Sequence, residues 1–106
     1  MKIKTSELKG AALDWAVAKC VDDGLADFTA AGWRFYPSTN WAQAGEIIER
    51  EKIAIMCPST GDFWDARANV FPPVYWRGET PLIAAMRCYV ASKLGDEIEI
   101  PKELTQ

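Results

Sequence analysis

The stretch from Thr80 to Gly95, "TPLIAAMRCYVASKLG", leaves its part of the chain little conformational choice. Thr80 suits a helix N-cap, and Pro81 the first helical position, where the missing N–H costs nothing. Gly95 is a C-terminal stop that tolerates left-handed backbone. Between these marks Ile83, Met86, Val90 and Leu94 recur at helical spacing, and Leu82 with Tyr89 widens the stripe. Arg87 and Lys93 fall on the opposite side. A helix with such a stripe must bury it against other elements, so the rest of the chain has to supply a partner layer.

Much of that partner reads as strand. "KIAIMC" has Ile53, Ile55 and Cys57 on one face. "FWDARANV" alternates, with Trp64, Ala66, Ala68 and Val70 on one side and Asp65, Arg67 and Asn69 on the other. The "PSTGD" turn signal between them makes an antiparallel hairpin, Ile53 to Cys57 against Phe63 to Val70. "FPPVYWRGE" carries two prolines and reads as a loop or an edge strand. "EIEIP" closes the chain as a strand with Ile98 and Ile100 inward. A short strand is expected at Met1 to Lys4, and another at Trp33 to Tyr36. Thr5 or Ser6 is expected to cap a second helix, "ELKGAALDWAVAKC", which is apolar nearly all round apart from Asp14 and stops at Gly24. Asp14 reads as solvent-facing or hydrogen-bonded at the helix edge. A short helical turn is expected at Gly45 to Glu51. The whole is one small α+β domain over residues 1–106, with two main helices packed on one antiparallel sheet that includes a central hairpin.

Composition excludes several function classes. With 106 residues, 49% hydrophobic and 25% charged, the chain can bury a real but thin core. Its net charge is −3 and its basic residues are scattered, which argues against gripping nucleic acid through phosphates. There is no histidine, and the three cysteines lie far apart without a CxxC. Zinc therefore lacks its usual ligands, the commonest general base is missing, and no cofactor motif is present. The cysteines read as small core residues in a reducing, cytosolic setting. No apolar run approaches the ~20 residues of a membrane helix, and the N-terminus lacks an apolar leader core.

Three stretches, "LDWAVAKC", "PSTNWAQAGEIIERE" and "TPLIAAMRCYVASKLGDEIEIP", resemble the NinX-like family of small accessory proteins of tailed phages. The resemblance covers most of the chain. It implies a phage genome and the host cytoplasm as the setting, and it implies no mechanism. The family pattern often has aspartate where this chain has Asn40, and Gly-Gly-Pro where it has Ala44, Gly45 and Glu46, so a cation role needing a carboxylate at position 40 is not carried over.

The candidate surface is the stretch from Arg34 to Arg50. Pro37, Ser38, Thr39 and Asn40 favour a turn and cap. Trp41 then stands among polar residues, and Ile47 and Ile48 can anchor the segment to the core. Asn40 and Gln43 offer amide donors and acceptors, Trp41 a stacking face, and Arg34 and Arg50 guanidinium groups for a phosphate or carboxylate. With Ser38, Thr39, Glu46 and Glu49 they form the proposed binding set, for an unidentified host protein or a small, nucleotide-like ligand. Three functional classes stay open. A non-catalytic binding module fits this polar set. An enzyme would use Glu46 and Glu49, which share a helix face, although "EIIERE" equally reads as an amphipathic turn. An assembly protein, for instance a homodimer, would use the aromatic groups Trp33, Phe35, Tyr36 and Trp41, or Phe71, Val74, Tyr75 and Trp76.

The helical stripe generates a direct check. Val90→Asp places an unpaired charge in the core and is expected to unfold the domain, at a cost above ~4 kcal/mol. A wild-type melting temperature in that variant would show that the stripe does not face the core.

Overall fold

The computed structural model of the protein describes residues 2–21, 34–57, 61–70 and 74–105. The long helix runs Pro81–Leu94. Thr80 is extended, and its Oγ1 accepts a hydrogen bond from the Ile83 N–H at 3.1 Å. At the other end Gly95 has φ +90° and donates its N–H to the Ala91 carbonyl. Cap, proline and stop thus act as their residue types dictate.

The burial of this helix is wider than a stripe. Leu82, Ala84, Ala85, Met86, Cys88, Tyr89, Val90 and Ala91 are all buried, positions that go round the whole cylinder. Ile83 is half-buried and Leu94 is exposed, so the stripe expected through those two positions is corrected. Alanines account for the difference: Ala84, Ala85 and Ala91 let neighbours approach on sides that a larger side chain would keep open. Strands, helices and an N-terminal turn all pack on this one element.

On one side lies a three-stranded antiparallel sheet of order β2-β3-β4, formed by Ala54–Met56, Trp64–Ala68 and Val74–Gly78. Ala66 stands opposite Ile55 on one neighbour and Trp76 on the other. The expected hairpin is present, with Gly61 and Asp62 in its bend and residues 58–60 outside the described residues. Ala66 and Ala68 are buried, Trp64 half-buried and Arg67 exposed, as the alternation requires. Cys57 and Val70, expected inward, are exposed. Both lie beyond the last paired residues, where the alternation of the pleat no longer orients them. β4 is an edge strand, one of the two outcomes expected for the proline-containing stretch "FPPVYWRGE".

The remaining strands do not join that sheet. Lys2–Lys4 (β1) pairs antiparallel with Glu97–Glu99 (β5), Ile3 opposite Ile98. Two sheets therefore replace the single sheet expected. The reason is geometric: β4 enters the long helix, β5 leaves it, and 14 residues of helix separate them by about 20 Å.

Thr5 does not cap a helix. Thr5–Glu7 forms a 3-10 turn, and the N-terminal helix begins later, spanning Gly10–Val21. Thr5 is fully buried; its hydroxyl donates to the Gly95 carbonyl and its N–H to the Asp96 carbonyl, both at 2.7 Å. A long-range partner has claimed the group that local pattern assigns to capping. Arg87, expected on the solvent side, is half-buried and donates from Nε to the Leu8 carbonyl at 2.7 Å and from Nη1 to the Arg77 carbonyl at 2.9 Å. The middle helix spans Trp41–Glu51, four residues longer at its start than the turn expected from Gly45. Residues Arg34 to Tyr36 are irregular where a strand was expected, and Trp33 and Gly24 lie outside the described residues. Of the cysteines only Cys88 is a core residue; Cys20 is half-buried and Cys57 exposed. Burial pushes the Cys88 thiol up to about 11, so it stays protonated and donates to the Val74 carbonyl.

The tightest joint is between β4 and the long helix. A Cβ on Gly78 would overlap the Ala84 backbone nitrogen and come within 2.8 Å of the Ile83 side chain. Gly78→Ala is therefore expected to lower stability by about 1–3 kcal/mol, read by chemical denaturation. Wild-type stability in that variant would mean that strand and helix are not in this contact.

Candidate functional site

The turn before the middle helix is held by several hydrogen bonds. The Tyr36 carbonyl accepts from the N–H groups of Thr39 and Asn40, at 3.1 and 3.0 Å. Asn40 has extended backbone, and its Oδ1 accepts from the Gln43 N–H at 3.1 Å, a side-chain N-cap. Gln43 reaches back along the turn. Its Oε1 accepts from the Tyr36 N–H at 2.7 Å, and its Nε2 donates to the Arg34 carbonyl at 2.9 Å. The side-chain oxygen of Asn40 and both ends of the Gln43 amide are thus engaged in holding the turn.

Beneath the turn lies a buried acid. Asp14, on the N-terminal helix, is 7% exposed, and its Oδ1 accepts from the Ser38 N–H at 2.8 Å. Of the two expectations for this residue, hydrogen bonding holds and solvent exposure does not. Burial pushes its carboxyl above the ordinary 3.8, and the Ser38 N–H, with a smaller contribution from the nearby hydroxyl, pulls it part of the way back. The hydroxyl itself is the unusual group. Ser38 is 3% exposed, and its Oγ has no partner in hydrogen-bonding geometry. Buried polar groups are nearly always satisfied, and the neighbour that answers this one is the Asp14 carboxylate, whose pKa the hydroxyl lowers.

Ser38 lines a hollow of about 250 Å³, together with Thr39, Trp41, Thr80, Pro81 and Leu82. The starts of the middle helix and the long helix both lie in its wall. Trp41, the first residue of the middle helix, is 58% exposed. A larger hollow, about 570 Å³, lies between Trp15, Lys19 and the segment from Glu97 to Lys102. Lys19, Glu99 and Lys102 of its wall are already engaged in interactions of their own, and Lys19 stands over the Trp15 ring at 5.4 Å. The smaller hollow differs in having a largely exposed tryptophan in its wall.

The structure divides the expected binding set. Ser38, Thr39 and Trp41 share the small hollow, and Asn40 and Gln43 brace it. Arg50 is nine residues along the helix from Trp41, about 13 Å away. There its Nε bonds Glu51 at 3.2 Å and its Nη2 donates to the Tyr89 hydroxyl at 3.4 Å. Glu51 also meets Lys93 at 3.0 Å. Burial opposes the ionisation of Glu51, but Lys93 and Arg50 together outweigh it and hold its carboxyl below the ordinary range. Glu46 and Glu49 are exposed, and neither they, Arg34 nor Arg50 belongs to the wall of the hollow. Sequence reasoning missed Thr80, Pro81 and Leu82 as wall residues, because a cap and a first turn account for them locally. Asp14 carried a usable signal: it is the single acid in an otherwise apolar helical run. No group of three acids or cysteines among the described residues is arranged to hold a metal ion. No helix among the described residues is long and apolar enough to cross a membrane.

A family model described as "Bacteriophage P22, NinX" matches residues 4–93. The chain belongs to that family. No curated protein matches it. The NinX match takes in Asp14, the turn from Tyr36 to Trp41, and Thr80 to Leu82 together, and it ends within the last turn of the long helix, before β5.

The buried acid gives a pH test. A raised folded-state pKa means that the native protein holds the proton more tightly than the unfolded chain, so this residue's contribution weakens as pH rises through the ordinary carboxyl range. Asp14→Asn keeps an acceptor for the Ser38 N–H and does not titrate. In denaturation series from about pH 3 to about pH 7, wild type is expected to lose stability relative to Asp14→Asn as pH rises, then to level off above the folded-state pKa. A relative gain by wild type would contradict the raised value.

Proposed function

We propose that this NinX-family protein is a non-catalytic binding module acting in the host cytoplasm, whose ligand seats in the hollow between the turn at Ser38 and the start of the long helix. One observation carries this reading: Trp41, 58% exposed, stands in the wall of a hollow that the turn at Ser38 and Thr39 shares with the start of the long helix. The exposed indole leaves apolar area in water, which is unfavourable for the free protein. A ligand seated in the hollow and stacked on Trp41 removes that area from water. The wall consists of hydroxyls, one indole and apolar groups, a set suited to binding rather than to acid–base or nucleophilic chemistry. Membership of a phage family supports a partner or ligand of host origin, met during infection.

A second reading, assembly into a homodimer, is favoured by the outer face of the three-stranded sheet. Tyr75 is 58% exposed there, Met56 39% and Phe63 45%, with Arg77 over the Phe63 ring. The two readings are compatible, because the hollow and this face involve different residues.

The test uses full-length protein purified from infected cells and analysed by native mass spectrometry, as wild type and as Trp41→Ala. The variant loses a side chain that is more exposed than buried and is expected to stay folded, at a cost of about 1–2 kcal/mol. Wild type is expected to carry an added small-molecule mass or a bound host protein, and the variant to lack it. Wild type without any added species, or a variant that retains it, overturns the assignment of the hollow.

A further inference from the structure

We propose that the larger hollow takes an extended segment of a partner protein, added to the open edge of β5 as a third, antiparallel strand, with lysine or arginine opposite Glu97 and Glu99 and an apolar residue between them. This hollow shares no wall residue with the one beside Trp41, and the inference does not depend on the reading of that site.

The ladder shows which backbone groups are left over. β1 and β5 form a sheet of two strands. In an antiparallel pair, residues that exchange both hydrogen bonds alternate with residues that exchange none. Thr5 donates its N–H to the Asp96 carbonyl, one step beyond the pair of Lys4 and Glu97. Ile98 therefore spends its N–H and carbonyl on Ile3, and Glu97 and Glu99 turn theirs away from β1. Those of Glu97 have no partner among the described residues. The hollow of about 570 Å³ runs along this edge: its wall takes in every residue from Glu97 to Lys102, together with Trp15, Lys19 and Leu94. A hollow over one face of the strand would meet alternate residues only, because successive side chains point to opposite faces. An open strand edge in such a hollow suits an extended peptide, which takes main-chain hydrogen bonds from the edge and seats alternate side chains in the hollow.

The pairing already present indicates the sequence of the occupant. On β1, Lys4 stands opposite Glu97 and Lys2 opposite Glu99, with Ile3 opposite Ile98 between them. Glu97 and Glu99 are exposed and Ile98 is buried, so a third strand meets the same pattern from the other side. Opposite charges facing each other across strands are favourable, and like charges are not. Glu99 and, in the same wall, Lys19 and Lys102 already have partners, which makes Glu97 the principal charged contact. Leu94, 37% exposed in this wall, gives the apolar residue a surface to cover. A second copy of this chain is a poorer occupant. Its β5 would set acid against acid, and its β1 would make a head-to-tail contact that does not close on itself. A short, charged edge strand resists pairing with copies of itself.

The experiment is an amide NMR titration of the full chain with three end-capped pentapeptides: KIKIK, EIEIE, and KIKIK methylated on the backbone nitrogen of its central lysine. KIKIK is expected to move the Glu97 N–H signal and, near saturation, to slow its hydrogen exchange about tenfold. The Ile98 N–H, already bonded to Ile3, should change far less, so that protection alternates along the strand. The methylated peptide loses one main-chain donor and should bind about three- to tenfold more weakly. EIEIE should bind at least about tenfold more weakly than KIKIK. Glu97→Gln changes an exposed side chain; it is expected to keep the wild-type melting temperature and to weaken KIKIK about two- to fivefold. A Glu97 signal unmoved by KIKIK at millimolar concentration, EIEIE binding as tightly as KIKIK, the methylated peptide binding like its parent, or Glu97→Gln binding KIKIK like wild type each overturns the inference. Sedimentation of the free chain adds a last arm. A species larger than one chain, with the Glu97 N–H protected before any peptide is added, gives the edge to a second copy and overturns the inference as well.

Discussion

Burial of the Pro81–Leu94 helix on nearly all sides is the constraint from which the other elements take their places. Each of its neighbours has one apolar face and needs a partner for it. Ala66 and Ala68 of the sheet, Ala16 and Val17 of the N-terminal helix, and Ile47 of the middle helix all join the cluster that contains Met86 and Val90. Full burial of one such larger aliphatic side chain is worth about 1.5–3 kcal/mol at most. A thin domain reaches stability only by using one central helix for several such contacts. Small residues make this geometry available: alanines on the helix and Gly78 on β4 bring backbones together where larger side chains would hold them apart.

Two polar joints close the structure around that helix. Thr5 ties the N-terminal turn to the carbonyl of Gly95, just past the helix end, and Arg87 bridges Leu8 and Arg77 through their carbonyls. Burial lowers the pKa of Arg87, opposed by the nearby Glu79 charge. Its two carbonyl partners compensate a cation that would otherwise be costly in this position. The hollow is built by a different logic. Both helices beside it have their caps satisfied, and the turn is clamped by Gln43, so its wall is braced by hydrogen bonds. A site carried on helix ends and a braced turn is better pre-organised than one on a free loop.

Several features were legible because they rest on interactions between near neighbours in sequence. Thr80, Pro81 and Gly95 bound a helix whatever surrounds it, and the alternation from Trp64 to Ala68 produces a strand with one wet face. The failures share a cause. Thr5 looked like a cap until the distant Gly95 carbonyl took its hydroxyl. Cys57 and Val70 follow the right parity but lie past the end of pairing. Arg34 to Arg50 reads as one polar surface, yet the helix carries Arg50 about 13 Å from Trp41 and gives it to Glu51 and Tyr89.

The sequence by itself determined the class of fold, the long helix with its ends, the hairpin, the edge strand and the family resemblance, because these follow from caps, turns, period and local residue pattern. Only the tertiary structure decided that the strands form two sheets, that Asp14 is buried against Ser38, and that the starts of two helices 40 residues apart in sequence, at Trp41 and Pro81, share a wall. Those outcomes depend on which groups meet across the fold. Backbone donors, unlike side chains, leave no mark in the residue pattern to show which of them remain free.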